Sequence, residues 1–145
     1  MSKTISYRGT LDIGTEDRIR LKTIKGKVGY KITKYQLMST TPQTGPQELI
    51  GKITKVTDPN IGAVVNFTDS DIMAVAFNST YSSQVINTQT VIFDNEITNQ
   101  DIFVNITDGA AGTVPCNYYI ELETISLSDL EATQITLKSI RTVKQ

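Results

Sequence analysis

The stretch RIRLKTIKGKVGYKITKYQL, residues 18–37, alternates basic and apolar residues on both sides of a glycine. Before the glycine, Ile19 and Leu21 alternate with cations, which is the period of two expected of a strand with one buried face. Gly26 follows Lys25 where the alternation pauses, and glycine tolerates the positive φ that a tight turn requires. The stretch therefore predicts a β-hairpin centred on Lys25 and Gly26.

This hairpin has a definite expected register. Pairing across the turn places Leu21 opposite Tyr30 on the apolar face of the hairpin. The same register places Arg20 opposite Lys31 on the polar face. Like charges directly opposite each other destabilise a strand pair, so these two cations predict an acidic neighbour or partner.

The apolar positions change phase in the second half of the stretch. Ile32 belongs to the first phase, and the next apolar residues are Tyr35 and Leu37. An extra residue in a strand produces such a change, and so does a strand that passes from one sheet to another. The sequence predicts one of these two features at Thr33 and Lys34.

The rest of the chain reads mainly as short strands separated by loops rich in Pro, Gly, Asn and Ser. The segment IMAVAF, residues 72–77, is apolar at every position and predicts a central strand. Strands at this spacing, in a chain of 145 residues, predict one antiparallel β-sandwich domain of jelly-roll type. The strand candidates besides 18–37 are residues 5–13, 48–56, 63–67, 72–77, 90–94, 101–107 and 117–126.

The last part of the chain predicts a short helix over residues 128–141. Ser128 and Glu131 have the spacing of a capping box, and cations gather toward the carboxyl end, where the helix dipole favours them. Residues 133–137 also alternate in the manner of a strand, which is the competing interpretation.

The composition excludes most catalytic mechanisms. The chain has no histidine and one cysteine, Cys116, so it lacks a Cys-His pair, a thiolate metal cluster and any intramolecular disulfide. The glycines follow no phosphate-binding or nucleophile-elbow pattern. We therefore predict a protein that is not an enzyme and that needs no cofactor or metal. Cys116 is interpreted as a small apolar residue.

Acidic residues offer the remaining route to chemistry. Paired carboxylates can cleave glycosidic bonds, and Asp69 and Asp71 have a D-x-D spacing that could supply calcium ligands. Acids at strand ends more commonly form turns, and the glycine and terminal glutamate of a calcium loop are missing here. The candidate carboxylates are Asp69, Asp71, Asp94, Glu96 and Asp101.

Aromatic residues could form a platform for a sugar. The chain contains no tryptophan, and Tyr81 and Tyr119 are the tyrosines that could face outward. For each tyrosine, ordinary packing or placement at a sheet edge is the favoured interpretation. A receptor-binding or carbohydrate-binding module therefore stays as an alternative function.

Charge is divided unevenly along the chain. Residues 1–55 contain eleven Lys or Arg and four Asp or Glu, whereas residues 56–137 contain eleven Asp or Glu and no cation. Residues 138–145 add three cations. Either the two parts form oppositely charged faces, which would make the domain a dipole, or their strands interleave and the asymmetry disappears in three dimensions. The like-charged pair expected in the hairpin favours the dipole.

The basic stretch is expected to bind protein. An acidic isoelectric point near 5.4 argues against a nucleic-acid partner. The longest apolar run is far shorter than a membrane helix, which argues against a membrane partner. The absence of a secretory leader after Met1 predicts synthesis in the cytosol. The predicted partner-binding residues are Arg18, Arg20, Lys22, Lys27, Lys31 and Lys34.

Several strings together resemble a known group of proteins: GKVGYKITKYQ (26–36), STTP (39–42), VIFDNE (91–96), QDIFVNITD (100–108), CNYYIELE (116–123) and DLEATQITLKSIR (129–141). They resemble small virion structural proteins of tailed phages that infect marine bacteria, notably cyanobacteria and Pelagibacter-like hosts. The resemblance spans nearly the whole chain and contains no catalytic motif.

The resemblance implies a place in the virion after synthesis in the host cytoplasm. The expected role is that of a capsid decoration or cement protein that stabilises the phage shell. Its expected partners are the major capsid protein or other virion proteins, and further copies of itself in a homo-oligomer. A tail or head-fibre component is the nearest alternative.

Overall fold

The computed structural model describes residues 3–41, 46–58, 61–79, 87–93 and 96–142. These residues form nine strands and one helix. In chain order the elements are β1 (Lys3–Leu11), β2 (Thr15–Ile19), β3 (Val28–Ser39), β4 (Glu48–Thr54), β5 (Ile72–Ser79), β6 (Asn87–Ile92), β7 (Ile97–Thr98), β8 (Ile102–Asp108), β9 (Cys116–Ser126) and α1 (Asp129–Thr142).

The strands form two antiparallel sheets that pack face to face. Sheet A has the order β1-β9-β3-β7, and sheet B has the order β2-β8-β4-β5-β6. The first strand thus pairs with the last, the second with β8, the third with β7 and the fourth with the fifth. This nested pairing defines a jelly roll. The prediction of an all-β sandwich with a short C-terminal helix is confirmed, and β6 extends sheet B by one strand.

The predicted hairpin across Gly26 is wrong. The turn exists, because Gly26 has φ +64° and its N–H donates to the Thr23 carbonyl at 3.2 Å. The chain leaves this turn for the other sheet, however, so β2 pairs with β8 while β3 pairs with β9. Lys31 lies opposite Glu123, and Arg20 has no place opposite it. Strand alternation identified the strands correctly but could not identify their partners.

The change of phase in β3 is a β-bulge. Ile32 pairs with Leu122 and Lys34 with Glu121, which leaves Thr33 as the extra residue. The bulge moves the inward face from Ile32 to Tyr35, and both side chains are buried. Of the two predicted explanations, the bulge is therefore the correct one.

A glycine on sheet B allows two side chains of sheet A to pack closely in the core between the sheets. A Cβ atom on Gly51 would overlap the Tyr35 hydroxyl and the Leu37 side chain, so only glycine admits these side chains to the core. Burial raises the pKa of Tyr35 well above its ordinary value. Tyr118 spans the core and donates its hydroxyl to Asp17 on sheet B at 3.2 Å. The fully buried core residues include Leu49, Ile53, Ile102, Ile106, Ile120 and Leu122.

A loop covers part of the outer face of sheet B. Ile50, Ile72 and Val75 form a second apolar cluster there, and Val65 packs against it. Residues 63–67 belong to this covering loop, so the strand predicted for them is wrong. Their apolar side chains pack onto a sheet without joining one. Lys52 lies buried under the loop and donates to the Val64 carbonyl at 2.6 Å.

The C-terminal helix begins at a capping box, as the sequence predicted. The Ser128 N–H donates to Glu131 at 3.1 Å, and the Glu131 N–H donates to the Ser128 hydroxyl at 3.2 Å. Hydrogen bonds from the Ser128 backbone and side chain lower the pKa of Glu131. No helix among the described residues is long and apolar enough to span a membrane.

Part of the charge asymmetry of the sequence is cancelled by interleaving. Each of the four ion pairs among the described residues joins a cation from residues 1–55 to an acid from residues 96–129. Opposite ends of the sequence thus supply neighbouring strands, and the preference for a two-faced dipole is wrong at these positions. The pairs are Arg18–Asp101, Lys27–Asp129, Lys31–Glu123 and Lys55–Glu96.

Candidate protein-binding surface

Residues 20–27, which we call the basic loop, carry the chain from sheet B to sheet A at one end of the sandwich. The loop contains Arg20, Lys22, Lys25 and Lys27. Lys27 forms an ion pair with Asp129 at 2.7 Å. Among the described residues, none of the other three forms an ion pair, and all three are exposed. The loop therefore presents unneutralised positive charge.

Asp101 fixes the start of the basic loop. One of its carboxylate oxygens accepts the N–H groups of Leu21 and Lys22, each at 2.8 Å. The other accepts Arg18 Nε at 2.8 Å, and Arg18 forms an ion pair there at 2.6 Å. Burial alone would raise the pKa of Asp101, but these hydrogen bonds outweigh it and lower the pKa. The carboxylate therefore holds the loop most firmly when it is ionised.

Asn99 fixes the other half of the basic loop. Its side chain is fully buried, and Nδ2 lies 3.0 Å from the Gly26 carbonyl and 2.8 Å from Thr136 Oγ1 in α1. The Leu127 N–H donates to the Lys27 carbonyl at 2.8 Å. The loop is thus held against the helix by the buried amide, and its shape is set by interior contacts.

Apolar side chains lie beside the cations on this surface. Ile24, in the middle of the basic loop, has a relative exposure of 104%, and Leu137 of α1 has 46%. Lys25 and Leu137 line one shallow cavity of about 400 Å³. We call Arg20, Lys22, Ile24, Lys25 and Leu137 the basic-apolar surface. An exposed apolar side chain between cations, on a loop whose backbone is held in place, suits binding to an acidic protein surface.

The six residues predicted to bind a partner do not form one ribbon. Arg18 lies on sheet B, where Asp101 neutralises it, and its guanidinium stands 5.9 Å from the centre of the Phe103 ring. Lys31 and Lys34 lie on the outer face of sheet A, opposite Glu123 and Glu121. Within the described chain, the basic-apolar surface brings together two of the six predicted residues, Arg20 and Lys22.

The sequence interpretation did not include Ile24 and Leu137. A signal for Ile24 was present, because it is a large apolar residue beside a turn and outside the alternation of either strand. Leu137 lies on α1, which buries Ala132 and leaves Leu130 and Leu137 exposed.

The candidate carboxylates are dispersed. Asp69 accepts the Asp71 N–H at 3.0 Å in the turn before β5, Glu96 forms an ion pair with Lys55, and Asp101 holds the basic loop. Asp94 lies outside the described residues. No three His, Cys, Asp or Glu side chains among the described residues are arranged to hold a metal ion.

A groove of about 920 Å³ lies at the opposite end of β3. It exists because β7 pairs only with Tyr30 and Lys31, which leaves the later part of β3 without a described strand on that side. The Tyr35 carbonyl there accepts Thr90 Oγ1 at 3.0 Å. The side chains that line the groove include Arg8, Gln36, Met38, Thr88, Asn117 and Tyr119.

The two tyrosines considered as sugar platforms have different outcomes. Tyr119 lines the groove, and its hydroxyl donates to Glu121 at 2.8 Å, which raises the pKa of Tyr119. Tyr81 lies outside the described residues. Cys116 is fully buried, and burial raises its pKa to about 12, consistent with a packing role.

Comparison of the sequence with models of protein families gives no match, and a search of curated proteins also gives none.

Proposed function

We propose that this protein is a virion structural protein that decorates a phage capsid and stabilises it through protein-protein contacts. The observation that carries the proposal is the basic-apolar surface, which holds an exposed Ile24 between cations on a loop fixed by Asp101 and Asn99. Because the loop backbone is already held in place, binding costs little further backbone entropy. The resemblance to virion proteins of marine tailed phages supplies the expected partner, the major capsid protein.

The cationic and the apolar side chains of this surface have different roles in binding. Arg20, Lys22 and Lys25 attract an acidic region of a shell subunit and orient the encounter. Ile24 and Leu137 then bury apolar area at the centre of the contact. Repetition over a symmetric shell multiplies weak single contacts, so each site needs only modest affinity.

The location is tested by mass spectrometry of purified virions. We expect this chain in intact particles at hundreds of copies per capsid, as shell decoration requires. A dozen copies or fewer would place it in a tail or at a vertex instead. Absence from purified particles would refute a role in the virion.

The surface is tested by charge reversal. We expect Arg20→Glu with Lys22→Glu to reduce occupancy on stripped particles by about tenfold or more, because opposite charge becomes like charge at the contact. Lys3→Glu with Arg8→Glu is the matched control, since it changes the net charge equally on β1 of sheet A, where both residues are exposed. Loss of occupancy in the control alone would assign binding to sheet A.

A carbohydrate-binding module is the second candidate, and the groove beside Tyr119 favours it. An aromatic ring, the Gln36 and Asn117 amides and the Arg8 guanidinium provide stacking and hydrogen bonding of the kind that sugars use. A glycan array tests this function. We expect any hit to weaken about tenfold or more in Tyr119→Ala and to persist in Thr4→Ala, on the same sheet but outside the groove.

A further inference from the structure

One edge of the sandwich is built without charge. Residues 72–93 contain no Asp, Glu, Lys or Arg, although one residue in five of the whole chain is charged. This segment supplies β5 and β6, and β6 is the outermost strand of sheet B. Exposed sheet edges are normally protected by charged residues, proline or bulges. The described part of β6 has none of these protections.

The free edge of β6 has a definite hydrogen-bonding pattern. The Phe93 N–H donates to the Met73 carbonyl at 2.9 Å, so the peptide groups of odd-numbered residues face β5. In an antiparallel sheet successive residues face opposite neighbours. The peptide groups of Thr88, Thr90 and Ile92 therefore face away from β5, where no described strand pairs with them.

The outer face beside this edge is apolar and exposed. Val91 in β6 has a relative exposure of 37%, and Phe67 and Val64 in the covering loop have 60% and 79%. Phe67 is placed next to the end of β6 by edge-to-face contact with Phe93, with ring centres 4.9 Å apart. An unprotected edge with an apolar margin is typical of an interaction surface.

We infer that β6 pairs with β6 of a second copy of this chain, which makes sheet B continuous across a two-fold axis. Antiparallel pairing with Thr90 opposite Thr90 of the second copy also sets Thr88 opposite Ile92 and uses every outward-facing peptide group. This register keeps the outer faces of both sheets on the same side. It places the apolar margins of the two copies next to the axis.

The absence of charge selects a second copy as the occupant. A two-fold axis brings each residue near its own equivalent, so a charged edge would repel itself, whereas an uncharged edge does not. A strand of Thr, Gln, Thr, Val and Ile pairs well with itself because β-branched residues favour sheet pairing. The inference is independent of the proposed capsid role, because it concerns another part of the molecule.

The test is light scattering coupled to size-exclusion chromatography on the full chain. We expect a mass of about 32 kDa, twice the 16.0 kDa of one chain. Thr90→Lys and Thr90→Glu should each be monomeric, because each places like charges together at the axis. Thr90→Val loses the same hydrogen bond to the Tyr35 carbonyl without adding charge, so it should stay dimeric. Thr4→Lys is the matched control on the edge strand of sheet A and should stay dimeric.

An equal mixture of Thr90→Lys and Thr90→Glu separates a lost interface from a lost fold. We expect the mixture to return to about twice the monomer mass, because lysine then faces glutamate across the axis. A wild-type monomer at high protein concentration would overturn the inference. The inference would also be overturned if Thr90→Lys still formed the wild-type oligomer. It would be overturned as well if Thr90→Lys and Thr90→Glu were both folded but formed no dimer when mixed.

Discussion

Sheet B ends in β2 on one side and in β6 on the other, and the two edge strands are built in opposite ways. β2 has the sequence TEDRI, with three charged residues in five, while β6 has NTQTVI with none. Acidic and basic groups of β2 are engaged within the molecule: Arg18 pairs with Asp101, and Glu16 accepts the Asp58 N–H at 3.0 Å. In β6, Thr90 donates to the Tyr35 carbonyl of sheet A, but no described strand pairs with the free edge.

The difference indicates two uses of a sheet edge. Charges and their internal partners make β2 unsuitable for a further strand, since pairing would require their rearrangement. β6 can accept a strand at no electrostatic cost. The nearby acid Asp101 also ties the β2 edge to the basic loop, so the charged edge supports the proposed shell contact. The uncharged edge is the one that we propose pairs with a second copy.

The largest expected effect comes from removing the support of the β2 edge. Asp101→Ala should lower the free energy of unfolding by about 2–3 kcal/mol, because it leaves Arg18 and two backbone N–H groups without their acceptor. Urea denaturation measures the change. Thr88→Ala on β6 is the control and should change stability by about 0.5 kcal/mol or less. Equal effects at the two edges would contradict the comparison.

Acid should weaken the β2 edge and spare β6. The pKa of Asp101 is lowered in the folded state, so its stabilising contribution is complete above the ordinary carboxyl value of about 3.9 and disappears as pH falls through the folded value. The stability difference between wild type and Asp101→Asn should therefore shrink on acidification. Thr90→Gln offers no titrating group, so its small difference from wild type should stay constant with pH.

Salt should separate the two proposed contacts. Raising the ionic strength from about 0.05 M to about 0.5 M shortens the screening length severalfold and should reduce occupancy through the basic-apolar surface. Dimer mass should not change, because β6 pairing involves no charge. If salt weakened both particle occupancy and dimer formation, the proposed electrostatic difference between the basic-apolar surface and β6 would be contradicted.

The edge variants should differ least at Cys116, which lies in the interior at β9. Its raised pKa of about 12 and its burial should make the thiol react with a disulfide reagent on the order of a thousandfold more slowly than a free cysteine. Folded Thr90→Lys and Thr4→Lys should share this protection. Rapid labelling of either variant would show that the substitution opened the core.

Local patterns predicted the fold well where the physical cause was local. Alternation, the capping box at Ser128 and the phase change at Thr33 each depend on neighbouring residues, and each prediction was confirmed. Strand partners are set by distant residues. Lys31 meets Glu123 across most of the chain length, and no local pattern distinguishes that partner from Arg20.

The candidate surfaces were less accessible to sequence reasoning. Arg20 and Lys22 were predicted as contact residues, but Ile24 joins them only because Asn99 fixes the loop against α1. The strand expected at 63–67 failed because a loop that covers a sheet buries apolar residues as a strand does. The uncharged run 72–93 was visible in the sequence, yet its meaning depends on β6 being an edge strand.

The bulge in β3 also affects the twist of the strand, because Thr33 is an extra residue between Ile32 and Lys34. Without it, Ile32, Lys34 and Tyr35 would alternate regularly and keep their present inward and outward sides. The insertion therefore leaves the choice of buried residues unchanged and acts on twist. β3 runs from the end of the sandwich that carries the basic loop to the end that carries the groove. Deletion of Thr33 would change the twist of β3 and so rotate one end of the sandwich relative to the other.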